Sequence, residues 1–164
     1  MSHLGDGSDK TRAFIRPADN LRNAVKDALR LLITNDGSHL ESDVAERTIC
    51  ARLACYLEPH FPDHKADVEY NRHGIEPKRI ALSQDCRGVG EKKIYPDVIV
   101  HQRLHDNKNL LVIQVKKETN RESRDCDRAI ILAMKREFQY AHGLMIDLPA
   151  GPGATGRKVK LRWL

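Results

Sequence analysis

The chain has 164 residues, of which 40% are hydrophobic and 31% are charged, and its formal net charge is +5. This length suits one domain with a substantial core, and no apolar run is long enough to span a bilayer. The start of the chain is polar and lacks the apolar segment of a secretion signal. We therefore expect a flexible tail over residues 1–15, a single domain over residues 16–164, no contact with membranes, and a cytoplasmic protein with four reduced cysteines.

Two helices are predicted before the first strand. The first covers residues 16–34, where apolar side chains recur at three- and four-residue steps. The polar run Asn-Asp-Gly-Ser at 35–38 is expected to end it. The second begins at residue 39 or 42 and ends at residue 57, with Ser38 and Glu41 at capping-box spacing.

Glu46 lies on the apolar stripe of this second helix. It precedes Ile49, Leu53 and Leu57 by three, seven and eleven residues. A carboxylate on a stripe that faces the core needs a partner. A salt bridge at the rim of the core and a functional site would both provide one.

The first predicted strand covers residues 67–72, where apolar and polar side chains alternate. Its polar face carries Glu69. Arg72, at its end, is a candidate either for contact with a phosphate or for an ion pair with Glu69. A short strand at 80–82 is also expected.

A β-hairpin is predicted over residues 95–117, where two apolar runs flank a loop rich in turn-forming residues. If the loop is centred near residues 105 and 106, the numbers of paired residues sum to about 211, so that Asp97 faces Gln114. Gln114 and Lys116 share one face of their strand. A carboxylate, an amide and an ammonium at one end of an apolar hairpin favour a functional site.

The remaining elements are a helix of about twenty residues, which follows Thr119 and Asn120 and ends near Ala141, and two strands, at 144–148 and 159–163. Thr119 and Glu122 have the capping-box spacing for that helix. Strands with helices between them predict a mixed sheet with helices packed on it. The last strand has one apolar face and one basic face, and both a solvated surface and an edge that contacts phosphates explain the basic face. The basic residues are Lys158, Lys160 and Arg162.

The polar groups of the hairpin and the second helix have the chemistry of a Mg²⁺ site. The carboxylates of Glu46 and Asp97 and the amide oxygen of Gln114 are hard donors, and the backbone carbonyl of Val115 is a further candidate. A bound metal lowers the pKa of a coordinated water and neutralises charge on a phosphate. Lys116 would orient that water or stabilise the transition state. This set predicts hydrolysis of a phosphodiester.

These residues resemble the motif of the PD-(D/E)XK nuclease superfamily. Pro96-Asp97 precedes Gln114-Val115-Lys116 on the next strand, and a helix with Glu46 comes before both. The resemblance covers about residues 42–148. It implies a restriction-endonuclease-like α/β fold, with a mixed sheet flanked by helices and the core order α-β-β-β-α-β. It also implies cleavage of DNA, less often RNA, with Mg²⁺ or Mn²⁺, and by analogy a homodimer. Its catalytic residues would be Lys116, Asp97, Gln114 and Glu46.

Gln114 stands where this superfamily usually has Asp or Glu. The neutral amide removes one negative charge from the metal site, and Glu69 is the candidate that would restore it as a further metal ligand. Nucleic acid would contact the basic last strand together with Arg72 and Lys117. Three hypotheses stay open: an active nuclease, a catalytically degraded module that binds nucleic acid or a protein partner without cleavage, and a plain domain with a buried ion-pair network.

Overall fold

The computed structural model describes residues 17–82, 86 and 90–164. The tail expected at residues 1–15 lies outside the described residues. None of the helices in the described part is long and apolar enough to cross a membrane. In chain order, the helices and strands of this part are α1 (Pro17–Glu41), α2 (Glu46–Leu57), β1 (Lys65–Val68), β2 (Arg79–Ala81), β3 (Glu91–Lys93), β4 (Val98–His101), β5 (Leu111–Lys117), α3 (Arg124–Phe138), β6 (His142–Leu148) and β7 (Lys160–Trp163).

The first helix continues through the stop predicted at residues 35–38. Its backbone leaves helical geometry at Asp36, where φ is −123° and ψ is 21°, and then resumes the helix as far as Glu41. The Asp36 carboxylate accepts hydrogen bonds from Arg52 Nε at 2.9 Å and from the Tyr56 hydroxyl at 2.6 Å, and both residues belong to α2. The polar run therefore makes a kink, and α2 begins at Glu46 rather than at residue 39 or 42.

Five strands form one mixed sheet in the order β1-β4-β5-β6-β7. Neighbouring strands are antiparallel except β5 and β6, which are parallel and are connected through α3. A parallel pair requires such a crossover, and a helix usually provides it. The strands β2 and β3 pair with each other in a separate antiparallel sheet. The architecture is mixed α/β, as the sequence predicts.

The register of the predicted hairpin is confirmed. Val98 pairs with Ile113, and Val100 pairs with Leu111, so the paired numbers sum to the expected value. Every residue of β4 is buried, and so is every residue of β5 before its last. A slip of β5 by one residue would turn Gln114 and Lys116 away from α3 and towards the core formed with α1 and α2, which disfavours that register.

Helices cover both faces of the five-stranded sheet. α1 and α2 pack on one face through a core that includes Leu32, Leu53 and Ile113. α3 packs on the other face, against Ile99 and Val112. Side chains alternate along β5, so the even-numbered residues after Val112 point to the α3 side.

The prediction of four reduced cysteines is wrong for two of them. Cys86 and Cys126 form a disulfide, and 40 positions separate them in the sequence. Cys50 is a buried free thiol, and Cys55 is an exposed one. The sequence contains no Cys-x-x-Cys pair that could have indicated this bond.

Candidate functional site

An open cavity of about 460 Å³ lies where the start of α2, the end of β5 and the start of α3 meet. All four residues predicted to be catalytic line it. They come from separate segments of the chain, and the fold brings them together around one cavity. The cavity is lined by Glu46, Cys86, Tyr95, Asp97, Gln114, Lys116, Glu122, Ser123, Cys126 and Asp127.

Two carboxylates of the cavity accept hydrogen bonds from the backbone at the end of β5, which extends past its last pair with β4. Asp97 Oδ2 accepts the N–H of Val115 at 2.7 Å, and Glu46 Oε2 accepts the N–H of Lys117 at 2.8 Å. The N–H and C=O of a strand residue point to the same side, so the carbonyl of Val115 also points towards this edge. The carboxylates thus take the place of β4 as hydrogen-bond partners at this end of β5.

Glu46 is the first residue of α2, where the helix dipole favours a negative charge. The Asn120 side-chain amide approaches it, with Nδ2 at 3.3 Å from Oε2. Its partners are therefore amides of the backbone and of a side chain, and its carboxylate also lines the cavity. This placement favours the functional-site hypothesis over a plain salt bridge at the rim of the core.

Asp97 is in an environment that disfavours its charged form. Burial, together with the nearby carboxylates of Asp127 and Glu46, raises the pKa of its carboxyl to about 7, although the hydrogen bond from Val115 opposes this rise. A carboxyl group with a pKa near neutrality, in a cavity, is typical of functional sites. The surplus of acidic groups would be relieved by a bound cation.

Gln114 fits a role as a neutral ligand. Only 5% of its surface is exposed, and its Nε2 has no hydrogen-bond partner within the described residues. Buried amides are normally paired, so an unpaired one on a cavity wall calls for an explanation. The amide oxygen is a hard donor suited to Mg²⁺. The structure thus brings together a donor set of two carboxylates and an amide.

Within the part of the chain that the structure describes, no three His, Cys, Asp or Glu side chains are grouped so that they could hold a metal ion. A site at this cavity would therefore depend on the Gln114 amide, the Val115 carbonyl and water in addition to carboxylates. Mg²⁺ commonly keeps several waters and uses one or two carboxylates. The residues present fit that kind of binding.

Lys116 is 8% exposed, and two carboxylates hold its ammonium group. Its Nζ lies 3.2 Å from Glu122 Oε2 and 3.3 Å from Asp127 Oδ2. Burial lowers the pKa of this ammonium, but the neighbouring carboxylates outweigh burial, and the pKa is raised overall. Lys116 is therefore a permanent cation in the cavity at neutral pH.

Asp127 is a site residue that the sequence reasoning missed. It is 8% exposed and lies in the first turn of α3, which Ser123 caps by accepting the N–H of Asp125. The predicted capping box at residues 119 and 122 is thus wrong. A signal for Asp127 existed, because it precedes the buried Ile130 and Met134 by three and seven residues, the same spacing that singled out Glu46.

Glu69 does not join the residues that line the cavity. Its backbone has a φ of 51°, and its N–H donates to the carbonyl of Pro96 at 3.0 Å. Its carboxylate lies 3.3 Å from Arg47 Nε. β1 ends at Val68, so Glu69 is not part of the strand. The left-handed backbone at Glu69 directs its side chain to Arg47 instead of the cavity.

The basic face of the last strand lies on the same side of the sheet as the cavity. Lys160 pairs with Asp147 of β6, and Asp147 pairs with Lys116 of β5. With strands spaced about 4.8 Å apart, the backbones of Lys160 and Lys116 are about 10 Å apart across the sheet. Lys160 and Arg162 of β7, and Lys158 two residues before the strand, are all exposed and form the basic row.

The other two candidates for contact with nucleic acid lie elsewhere. Lys117 points to the opposite face of β5, where its Nζ is 2.7 Å from Asp43 Oδ1. Arg72 is exposed, and its backbone carbonyl accepts a hydrogen bond from Lys78. A cation that the sequence reasoning missed is Arg124 at the start of α3, whose Nε lies 3.0 Å from Asp147 Oδ1, beside the basic row.

Neither a protein family model, nor a curated protein, nor a solved structure matches this chain. The functional interpretation therefore depends on the short motif and on the arrangement of the cavity.

Proposed function

We propose that the chain is a divalent-metal-dependent nuclease that hydrolyses phosphodiester bonds, with DNA as its substrate. The observation that carries this proposal is the convergence of Glu46, Asp97, Gln114 and Lys116 on one cavity. The order α2, β1, β4, β5, α3, β6 supports it, because it follows the core order of the restriction-endonuclease-like fold, with β2 and β3 as an insertion.

Mg²⁺ or Mn²⁺ would be held by Glu46, Asp97, Gln114 and the carbonyl of Val115. The ion would activate a water and neutralise charge on the phosphate. The protein contributes fixed orientations to this site. Because Oδ2 of Asp97 accepts the N–H of Val115, the carboxylate is held in one position before a ligand arrives.

Lys116 provides a positive charge at the place where a scissile phosphate would lie. Its two carboxylate partners keep it protonated, so it acts as a cation and not as a base. A preorganised cation stabilises the negative charge that builds on phosphoryl oxygens in the transition state.

The basic row on β7 provides a path for the rest of the nucleic acid. Its charges are exposed on the cavity side of the sheet, and Arg124, the first residue of α3, adds a further cation beside the row through its contact with Asp147. Contacts between such cations and phosphates release counterions, which gives binding that depends on salt but not on sequence.

A second function is favoured by one observation, the neutral amide of Gln114 at the expected position of an acid. With fewer carboxylates, the same fold would bind nucleic acid or a protein partner without cleaving it. The basic row would serve this function equally well.

Cleavage of single- and double-stranded DNA and RNA in Mg²⁺, Mn²⁺ or EDTA tests the proposal. We expect metal-dependent nicking of DNA that Asp97→Ala abolishes. The matched control is Asp125→Asn, a change of an exposed acid in the first turn of α3. Absence of cleavage by the wild type on every substrate, with binding retained, would favour the degraded module. Equal cleavage by Asp97→Ala would exclude the proposed site.

A further inference from the structure

The disulfide forms part of the wall of the candidate site. Cys86 and Cys126 both line the cavity that holds Asp97 and Lys116. Their Cα atoms are 5.2 Å apart, which is within the usual range for a disulfide. Both residues are half-buried beside an open cavity, so a small thiol can reach the bond from solvent.

The two free cysteines have environments that do not suit such chemistry. Cys50 is buried, and burial, together with the carboxylates of Asp97, Glu46 and Glu69, raises the pKa of its thiol. A protonated, buried thiol is a poor nucleophile. Cys55 is exposed on α2 and does not line the cavity of Asp97 and Lys116.

Cys126 occupies a position that links the disulfide to the site. It lies in the first turn of α3, directly before Asp127, whose carboxylate holds the Lys116 ammonium. The bond therefore fastens the turn that presents Asp127 to Cys86, in the segment between β2 and β3. The start of a helix also favours the thiolate form of a cysteine, the form that takes part in exchange.

We propose that Cys86 and Cys126 form a reversible redox switch for the candidate site. In the oxidised protein the disulfide fixes the first turn of α3 and keeps Asp127 against Lys116. Reduction releases that turn and loosens the hold on Lys116. The regulatory part of this inference rests on the proposed nuclease function, whereas the ordering of α3 does not.

The exchange uses a low-molecular-weight disulfide, such as glutathione disulfide, as oxidant. The Cys126 thiolate attacks one sulfur of the oxidant and displaces one thiolate, which gives a mixed disulfide. The Cys86 thiolate then attacks Sγ of Cys126, which forms the protein disulfide and displaces the second thiolate. Two protein thiols lose two electrons and two protons, and the oxidant becomes two thiols.

The test equilibrates the full chain in buffers of reduced and oxidised glutathione. Three quantities are measured at each ratio: the fraction of the disulfide by mass spectrometry, hydrogen–deuterium exchange of peptides over residues 124–131, and the rate of DNA nicking. The amides of residues 128–131 report the ordering of the first turn, because they are the first to donate to its carbonyls. We expect all three quantities to change at the same ratio. In the reduced protein, hydrogen–deuterium exchange should be faster and DNA nicking should be at least fivefold slower. Addition of oxidised glutathione should return both the hydrogen–deuterium exchange and the nicking rate to the values of the oxidised protein.

The double variant Cys86→Ser/Cys126→Ser should behave as the reduced protein at every ratio, and Cys55→Ser should respond as the wild type does. If the double variant does not fold, reduced wild type alkylated at its accessible thiols takes its place. The proposal is overturned if the disulfide does not form at any ratio, or if hydrogen–deuterium exchange over residues 124–131 is the same in both redox states. If neither form cleaves DNA, the nuclease function fails, and the exchange data still decide whether the switch exists.

Discussion

Asp97 and Val115 are joined by a hydrogen bond of 2.7 Å from the backbone N–H of Val115 to Oδ2 of Asp97. This bond ties the residue before β4 to β5 at the point where Gln114 and Lys116 project towards α3. The bond therefore helps to fix the geometry of the candidate site.

Replacement of Asp97 by Asn should stabilise the protein at alkaline pH. The folded carboxyl has a pKa of about 7, whereas an unfolded Asp titrates near 4, so the folded state retains a proton that the unfolded state loses in this window. The contribution of Asp97 to the free energy of unfolding of the wild type therefore falls as the pH rises from 4 to 7. At about pH 8 we expect the variant to be more stable by on the order of 2 to 4 kcal/mol.

Urea unfolding at about pH 5 and pH 8 measures this difference. It should shrink towards the lower pH, where the wild-type carboxyl is protonated in the folded state. Asp125→Asn is the control, because its side chain is exposed. Parallel pH profiles for the wild type and Asp97→Asn would show that Asp97 is ionised normally in the folded protein.

Replacement of Gln114 by Glu should strengthen binding of Mn²⁺ and Mg²⁺. A carboxylate adds a full negative charge to the donor set, whereas the amide contributes only a dipole. Calorimetric titration of the metal alone measures the affinity without reference to activity. Gln139→Glu, at an exposed position after α3, is the control for added charge. Unchanged or weaker binding by Gln114→Glu would remove this side chain from the metal site.

Replacement of Asp127 by Asn should lower the free energy of unfolding by about 1 to 3 kcal/mol. The buried Lys116 ammonium loses its more buried carboxylate partner, and this loss outweighs the gain from removing a charge whose burial raises the pKa of Asp127. Glu122→Gln is the matched control. Its side chain is 78% exposed, so the same loss of charge should change stability by less than about 0.5 kcal/mol. Thermal or urea unfolding of both variants decides the comparison, and equal effects would mean that Asp127 is not the main partner of Lys116.

Substitution of the basic row by alanine should reduce the salt dependence of nucleic-acid binding. Each lost phosphate contact lowers the slope of log affinity against log salt by about 0.9 for duplex DNA, so removing three cations should lower it by about 2 to 3. Fluorescence anisotropy over a series of salt concentrations measures the slope. The control is Lys26→Ala/Arg30→Ala on α1, on the opposite side of the sheet, and an equal change in that variant would place the contacts elsewhere.

The register of the hairpin was predictable because its residues allow few other pairings of the two strands. Both strands are continuous apolar runs, and centring the loop near residues 105 and 106 gives the pairs that meet. Asp97, Gln114 and Lys116 are therefore placed from sequence alone. The helical period of the apolar residues is sufficient to single out Glu46, because an acidic side chain is unusual on an apolar stripe.

The remaining features depend on information that a local pattern does not contain. Glu69 continues the alternation of its segment, but a left-handed backbone at that residue redirects it to Arg47. The bond between Cys86 and Cys126 joins distant parts of the chain, and spacing alone does not determine a pairing. The kink at Asp36 arises from contacts with α2, which a stop signal in α1 cannot reveal.

The position of β7 at the end of the sheet has a consequence for the colloidal behaviour of the protein. An outermost strand offers unpaired backbone groups to a second copy of the chain, and exposed lysines and arginines oppose that pairing because like charges would face each other. Lys158, Lys160 and Arg162 therefore act as a barrier to aggregation whether or not nucleic acid binds. The alanine variant of this row should aggregate more readily than the wild type.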